Sequence, residues 1–203
     1  MKTLIKITLL LILITFNIAK ADPTNAQKWL DTEITKIINL YKDQNVDNIN
    51  RLNVIEEAIN KNFAGTGIAR FVVGNVWKDS SKETQQKFVK LFKQHLYLTI
   101  GSLMQGYSDQ SFKFIEAKED KNQNVYLIDM EIEYNDQKTI VTWRVKELNE
   151  NYYVIDLLVA DISLVVTKRA EFNSMLKKVN NDLNELNSLL EKQNNESYKR
   201  LIN

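Results

Sequence analysis

The stretch Val125-Tyr126-Leu127-Ile128-Asp129-Met130-Glu131-Ile132-Glu133-Tyr134-Asn135-Asp136-Gln137-Lys138-Thr139-Ile140-Val141-Thr142-Trp143-Arg144-Val145-Lys146 alternates apolar and polar side chains on both sides of Asn135-Asp136. Alternation with period two marks a half-buried strand. Asn-Asp between two such runs suits a two-residue turn in which both residues take positive φ. Such a turn sets the register by itself. Met130 faces Val141, Ile128 faces Trp143 and Tyr126 faces Val145, while Glu133 meets Lys138 and Asp129 meets Thr142 on the other face. One face is apolar and the other is charged, as in an antiparallel hairpin with one side against a core. Asp129, Glu131 and Glu133 imitate a catalytic or metal-binding carboxylate cluster, but alternation on a solvated face explains them.

Working outward, residues 111–117 and 152–159 have the same period. Turn formers at Asp120-Lys121-Asn122 and at 148–151 separate them from the hairpin. The middle of the chain therefore reads as a meander of four antiparallel strands.

Both ends return to helical spacing. Asp22-Pro23-Thr24 opens a helix that carries Trp29, Ile34, Ile37, Ile38 and Tyr41. Leu52, Ile55, Ala58 and Ile59 mark a second helix over about 50–62, Gly65-Thr66-Gly67 breaks the chain, and a third helix follows over 68–77. Asp79-Ser80-Ser81, with Glu83 behind, caps a fourth over 81–107. In its first half Phe88, Leu91, Phe92 and Leu96 form one stripe. In its second half Tyr97, Leu98, Ile100, Leu103, Met104 and Tyr107 go nearly all the way round, so this part needs a core or a cavity on more than one side. After the meander, 163–176 and 178–192 are helical, with Leu176, Val179, Leu183, Leu186 and Leu190 in a three-four rhythm. Residues 194–203 form a polar tail expected to fray. Helices, meander and helices make one α+β domain over 22–193, with helices covering one face of a curved sheet.

Residues 1–21 read as a secretory signal: Lys2 and Lys6 precede an apolar run over 7–18, and Ala19-Lys20-Ala21 is a cleavage site. The apolar run is shorter than the roughly 20 residues that span a bilayer. Taking Lys2, Lys6 and Lys20 from 27 basic residues against 26 acidic ones leaves a slightly acidic exported protein. That balance provides no field for nucleic acid.

The whole chain of 203 residues has no Cys, one His and five Gly. Disulfides, thiolate sites and lipid attachment through Cys are excluded, as is any mechanism needing two imidazoles. No nucleophile elbow, P-loop or zinc-protease motif occurs. His95 lies on the Phe88 stripe and reads as a core or rim imidazole. Asp156 interrupts an apolar strand and reads as a structural hydrogen-bond acceptor near its end. Gly65-Thr66-Gly67 lacks the third Gly and the preceding strand of a dinucleotide fingerprint and reads as a loop.

Trp143-Arg144-Val145, Tyr152-Tyr153-Val154-Ile155-Asp156 and Ile162-Ser163-Leu164-Val165-Val166-Thr167-Lys168-Arg169-Ala170-Glu171-Phe172 together resemble the C-terminal signature of the MlaC, or toluene-tolerance auxiliary, family. Ala69-Arg70-Phe71-Val72-Val73-Gly74 with Trp77, and Thr84-Gln85-Gln86-Lys87-Phe88 with Phe92 and Leu96, are similar to its other recurrent stretch. The chain departs from the family at Asp161 and at Asn180-Asn181, where the family tends to have Gly.

The resemblance implies an NTF2-like (cystatin-like) sheet that encloses acyl chains with its helices. It implies a periplasmic, monomeric phospholipid carrier, not an enzyme, with phospholipid as ligand and no cofactor. The implied partners are an outer-membrane lipoprotein complex and an inner-membrane ABC transporter with an MCE-domain ring, and the implied role is outer-membrane lipid asymmetry.

The expected cavity wall is Phe71, Val72, Trp77, Phe88, Phe92, Leu96, Met104 and Tyr107 from helices, with Met130, Ile132, Val141, Trp143, Val145, Ile155 and Leu157 from strands. Two other readings stay open. One is a small-molecule enzyme on the same scaffold using Tyr107, Tyr126 and Asp156. The other is a ligand-free adaptor joining envelope proteins through an exposed apolar patch.

Overall fold

A computed structural model describes residues 22–107, 110–122 and 124–202. The expected signal over 1–21 lies outside the described residues. The order is α1 (Pro23–Lys42), α2 (Asn48–Asn62), α3 (Gly65–Val73), α4 (Val76–Asp79), α5 (Lys82–Met104), β1 (Ser111–Glu119), β2 (Val125–Tyr134), β3 (Gln137–Leu148), β4 (Asn151–Val159), β5 (Ile162–Ser163), α6 (Leu164–Lys178) and α7 (Leu183–Ile202). No helix among the described residues is long and apolar enough to cross a membrane.

The strands form an antiparallel sheet in sequence order, and it has five strands rather than the expected four. The extra strand is a two-residue pairing, Leu158 with Ser163 and Val159 with Ile162, made as the chain turns back into α6. The central hairpin has the register the turn dictates, with Met130 opposite Val141, Ile128 opposite Trp143 and Tyr126 opposite Val145. Asn135 and Asp136 take φ of 49° and 61°, the pair of left-handed residues such a turn requires. Breaks in register at Phe114/Glu116 and at Arg144/Val145 mark β-bulges, which bend strands and curve the sheet.

Local chemistry sets the helix ends. The Asp22 carboxylate accepts the Thr24 N–H at 2.9 Å, and the Ser81 hydroxyl accepts the Thr84 N–H at 3.1 Å, so both helices start at capped positions. Gly74 has φ of 60°, which stops α3 and separates α4 from it. The expected third helix is therefore two. Gly65-Thr66-Gly67, expected to break the chain, is the first turn of α3, because the break falls earlier, where Phe63 ends α2 in extended conformation and Ala64 precedes the new helix.

The α5 helix ends at Met104 rather than near Tyr107. The expected tail is the second half of α7: Asn194 and Leu201 are 1% and 5% exposed and anchor it against α5 and α2. A polar composition conceals the apolar contacts that recur at Tyr198, Leu201 and Ile202.

Three apolar clusters make the core. One joins α3, α5, α6 and α7 around Phe88, Phe92 and Phe172, whose ring centroids are 5.5 to 5.8 Å apart. A second seats Ala26 and Leu30 of α1 on Tyr126, Ile128, Val145 and Val154 of the sheet. The third joins α2, α5 and the end of α7 around Leu52, Ile55, Ile59 and Leu98.

Candidate functional site

Between α1, α2, the last turns of α5 and the inner face of β1–β3, the layers do not close. They leave a cavity of about 290 Å³. Ile34, Ile37 and Ile38 line it from α1, and Ile55, Ala58 and Ile59 from α2. Ile100, Met104 and Tyr107 come from the end of α5 and the chain just beyond it, Phe112, Met130, Ile132 and Trp143 from the strands, and Phe63 from the α2–α3 junction. Each helix contributes residues three or four apart, the spacing that puts side chains on one face. The strand residues are those that alternation points inward. The polar members are Tyr107, Gln110 and Ser111, and the Tyr107 hydroxyl donates to the Gln110 carbonyl at 3.2 Å. Among the described residues its wall holds no carboxylate, imidazole or amine, and its character is that of a site for apolar matter.

Of the expected wall residues, the structure brings together Met104, Tyr107, Met130, Ile132 and Trp143. The rest lie elsewhere. Val72, Phe88 and Phe92 are fully buried in the helical cluster, with Trp77 and Leu96 packed against it, because α6 and α7 cover the stripe that was expected to wall the cavity. Val145 is core beneath α1 with Leu157 packed beside it, and Val141 is buried on β3 opposite Met130. Phe71 is 42% exposed, with the Arg169 guanidinium 4.5 Å above its ring. Ile155 is the extra residue at the β4 bulge, between Val154 opposite Val145 and Asp156 opposite Arg144, so it does not follow the inward alternation.

The α1 and α2 side of the wall was not foreseen. Its signal was present in Ile34, Ile37 and Ile38 and in Ile55, Ala58 and Ile59, but such stripes look alike whether they face side chains or empty space.

The other candidate groups are dispersed. The Tyr126 hydroxyl is buried in the second cluster and donates to Glu147 at 2.6 Å; burial and that carboxylate push its pKa above the usual phenol range. Asp156 accepts the Leu157 N–H, the Ser163 hydroxyl and the Val165 N–H at 2.8, 2.7 and 3.1 Å, which fastens β4 to the start of α6. Neither lines the cavity. His95 packs edge-on against Phe172, with Nε2 3.1 Å from the Lys168 Nζ.

On the outer face Glu131 takes Lys113 and Lys138 at 3.0 and 3.1 Å, and these two hydrogen-bonded cations hold its carboxyl below the ordinary range. Asp129 accepts the Thr142 hydroxyl at 2.6 Å. Among the described residues no group of three or more His, Cys, Asp or Glu is placed to hold a metal ion.

The sequence matches the protein family described as MlaC protein over residues 29–192. No curated protein matches it. Among solved structures it is similar to a phospholipid-binding protein from Ralstonia solanacearum in complex with a phospholipid. The two share 15% identity at a TM-score of 0.71, over 85% of this chain and 98% of that chain. At that identity the likeness concerns the fold.

Proposed function

The chain belongs to the MlaC family, and from that premise we propose that it is a periplasmic phospholipid carrier. It passes lipid between an outer-membrane lipoprotein complex and an inner-membrane ABC transporter with an MCE-domain ring, and so maintains the asymmetry of the outer membrane. The observation that carries this reading is the cavity of about 290 Å³, walled by isoleucines, methionine and aromatic rings from two helical layers and the sheet.

The physics of transport asks for such a site. A diacyl lipid exposes on the order of 30 methylenes, and at about 0.8 kcal/mol each its passage through water costs roughly 25 kcal/mol. A carrier lowers that barrier by offering a dry wall as apolar as the membrane, while the head group stays in water. It needs no reactive side chain, and the energy for directional transfer comes from the nucleotide-driven partner.

The test is mass spectrometry of an organic extract of the protein, expressed from the full chain and purified from the periplasm without detergent. Near-stoichiometric phospholipid is the expected result. A lipid-free protein with a cooperative melt overturns the reading and moves the weight to an adaptor without ligand.

A further inference from the structure

Among the described residues Phe63 alone lines both the apolar cavity and a second concavity, of about 330 Å³, beyond it, and it alone packs against all three apolar clusters. Its main chain is held on both sides. Phe63 ends α2 in extended conformation and bridges to Val154 of β4, and the Ala64 N–H donates to the Val154 carbonyl at 3.0 Å.

Strand register gives the cavity two ends. Ser111, which with Tyr107 and Gln110 makes up its polar members, lies opposite Glu133 on β2. Phe63 bridges to Val154, which stands opposite Val145, and Val145 stands opposite Tyr126 on the same β2. From Glu133 back to Tyr126 the strand rises roughly 23 Å. One acyl chain takes up about 15 Å, half of a bilayer's hydrocarbon thickness. A lipid chain with its ester end at the polar members therefore fits along the cavity and points its methyl end at Phe63.

Beyond Phe63 the surroundings change. The second concavity is lined by Thr66, Lys93 and Lys146 as well as by Leu148 and Ile155, and Thr66, Lys146 and Leu148 are exposed. Each methylene driven past Phe63 exchanges apolar contact for water, which costs about fourfold in affinity.

We propose that Phe63 is the floor of the lipid site and sets the length of acyl chain that the protein accepts. This rests on the carrier reading and adds a specificity-determining residue to it. A smaller side chain at this position joins the two concavities, and a larger one shortens the cavity.

The experiment loads the protein, expressed from the full chain and purified from the periplasm, from vesicles of equal parts dimyristoleoyl-, dioleoyl- and dierucoyl-phosphatidylglycerol. The protein is then separated from the vesicles and its lipid quantified by mass spectrometry. The wild type should take dioleoyl in preference to dierucoyl lipid. Phe63→Ala should raise the dierucoyl-to-dioleoyl ratio at least fivefold, and Phe63→Trp should shift loading toward the dimyristoleoyl lipid. Phe63→Leu keeps much of the packing and should move the ratio in the direction of Phe63→Ala, which preserves the test where loss of the whole ring unfolds the chain. Phe71→Ala, at an exposed aromatic outside the cavity wall, should leave the ratio unchanged. Lipid-loaded Phe63→Leu and Phe63→Trp proteins with the wild-type ratio overturn the floor and leave the carrier reading intact, whereas a wild type that takes up none of the three lipids overturns both.

Discussion

The Asp156 carboxylate accepts the Ser163 hydroxyl at 2.7 Å, and the same Ser163 oxygen accepts the Val166 N–H at 3.1 Å, so one buried acid on β4 sets the first turn of α6 through a relay. Asp156 is 8% exposed and also accepts the N–H groups of Leu157 and Val165. Asp156→Ala leaves these donors unpaired and should cost about 3 kcal/mol, while Asp156→Asn, which keeps one acceptor oxygen, should cost about 1 kcal/mol. Urea denaturation of the two variants gives the comparison, and equal losses would contradict it.

His95 gives the fold a pH dependence of calculable sign. Burial first, and the Lys168 ammonium second, lower its pKa to about 4, although Glu171 and Asn194 oppose the shift. The unfolded chain therefore takes up its proton near pH 6.5 and the folded chain only near pH 4. The folded state loses stability as the pH falls through that window and loses no more below it, by about 3 kcal/mol in all. Carboxylates titrate in the same range, so the diagnostic quantity is the difference between the wild type and His95→Gln. That difference should shrink steadily from pH 7 to pH 4, and a constant difference would show that the imidazole does not titrate as stated.

Two apolar positions on the same sheet should respond in opposite ways. Ile132 is half-buried in the cavity wall, and Val145 is fully buried in the core beneath α1. Ile132→Asp puts a charge where acyl chains would lie and should lower lipid recovery at least tenfold while the melt stays cooperative. Val145→Arg buries an unpaired charge, which costs several kcal/mol, and should unfold the domain. Lipid mass spectrometry beside thermal melting separates the two, and full lipid loading of Ile132→Asp would place the acyl chains elsewhere.

Asn149 and Glu150, with φ of 50° and 62°, turn β3 into β4. Glu150 has neither the freedom of glycine nor the local hydrogen bonding that lets Asn tolerate this region. Glu150→Gly should stabilise the protein by about 0.5–1 kcal/mol, and Glu150→Val should destabilise it by more than that. Denaturant midpoints decide the sign.

Cutting the chain after Gln193 removes Asn194, whose amide donates to the Leu91 carbonyl at 2.9 Å, and Leu201, which is 5% exposed against the third cluster. The lost bond and the lost burial together should cost about 3 kcal/mol or more. A truncated protein as stable as the full chain would return these residues to the status of a tail.

The central hairpin was legible residue by residue, since a two-residue turn ties every pair between Tyr126 and Val145 to one register. Asp161 and Asn180-Asn181, which stand where the family tends to have Gly, take φ of 63°, 52° and 60°. Asp and Asn keep the left-handed turns possible, which is why these departures leave the fold intact. Ile155 was misplaced because a bulge adds a residue without altering composition. The end of α7 was misplaced because its few apolar contacts are hidden among polar residues.

The second half of α5 finds the expected apolar surroundings at Tyr97, Leu98, Ile100 and Met104 but not at Leu103, which is 73% exposed. Ile100 and Met104 face the cavity while Leu98 faces the α2 and α7 cluster. Alternation, helix caps and turn residues act within a few positions of the chain, so the amino-acid sequence alone determined the broad order of helices and strands, the register of the central hairpin and which faces are apolar. Whether an apolar face meets side chains or open space depends on the distance between layers. That distance comes from the bulges and curvature of the sheet and from how the helices pack on it. Only the tertiary structure could therefore decide that Phe88 and Val145 are core while Ile37, Ala58 and Ile132 wall a cavity.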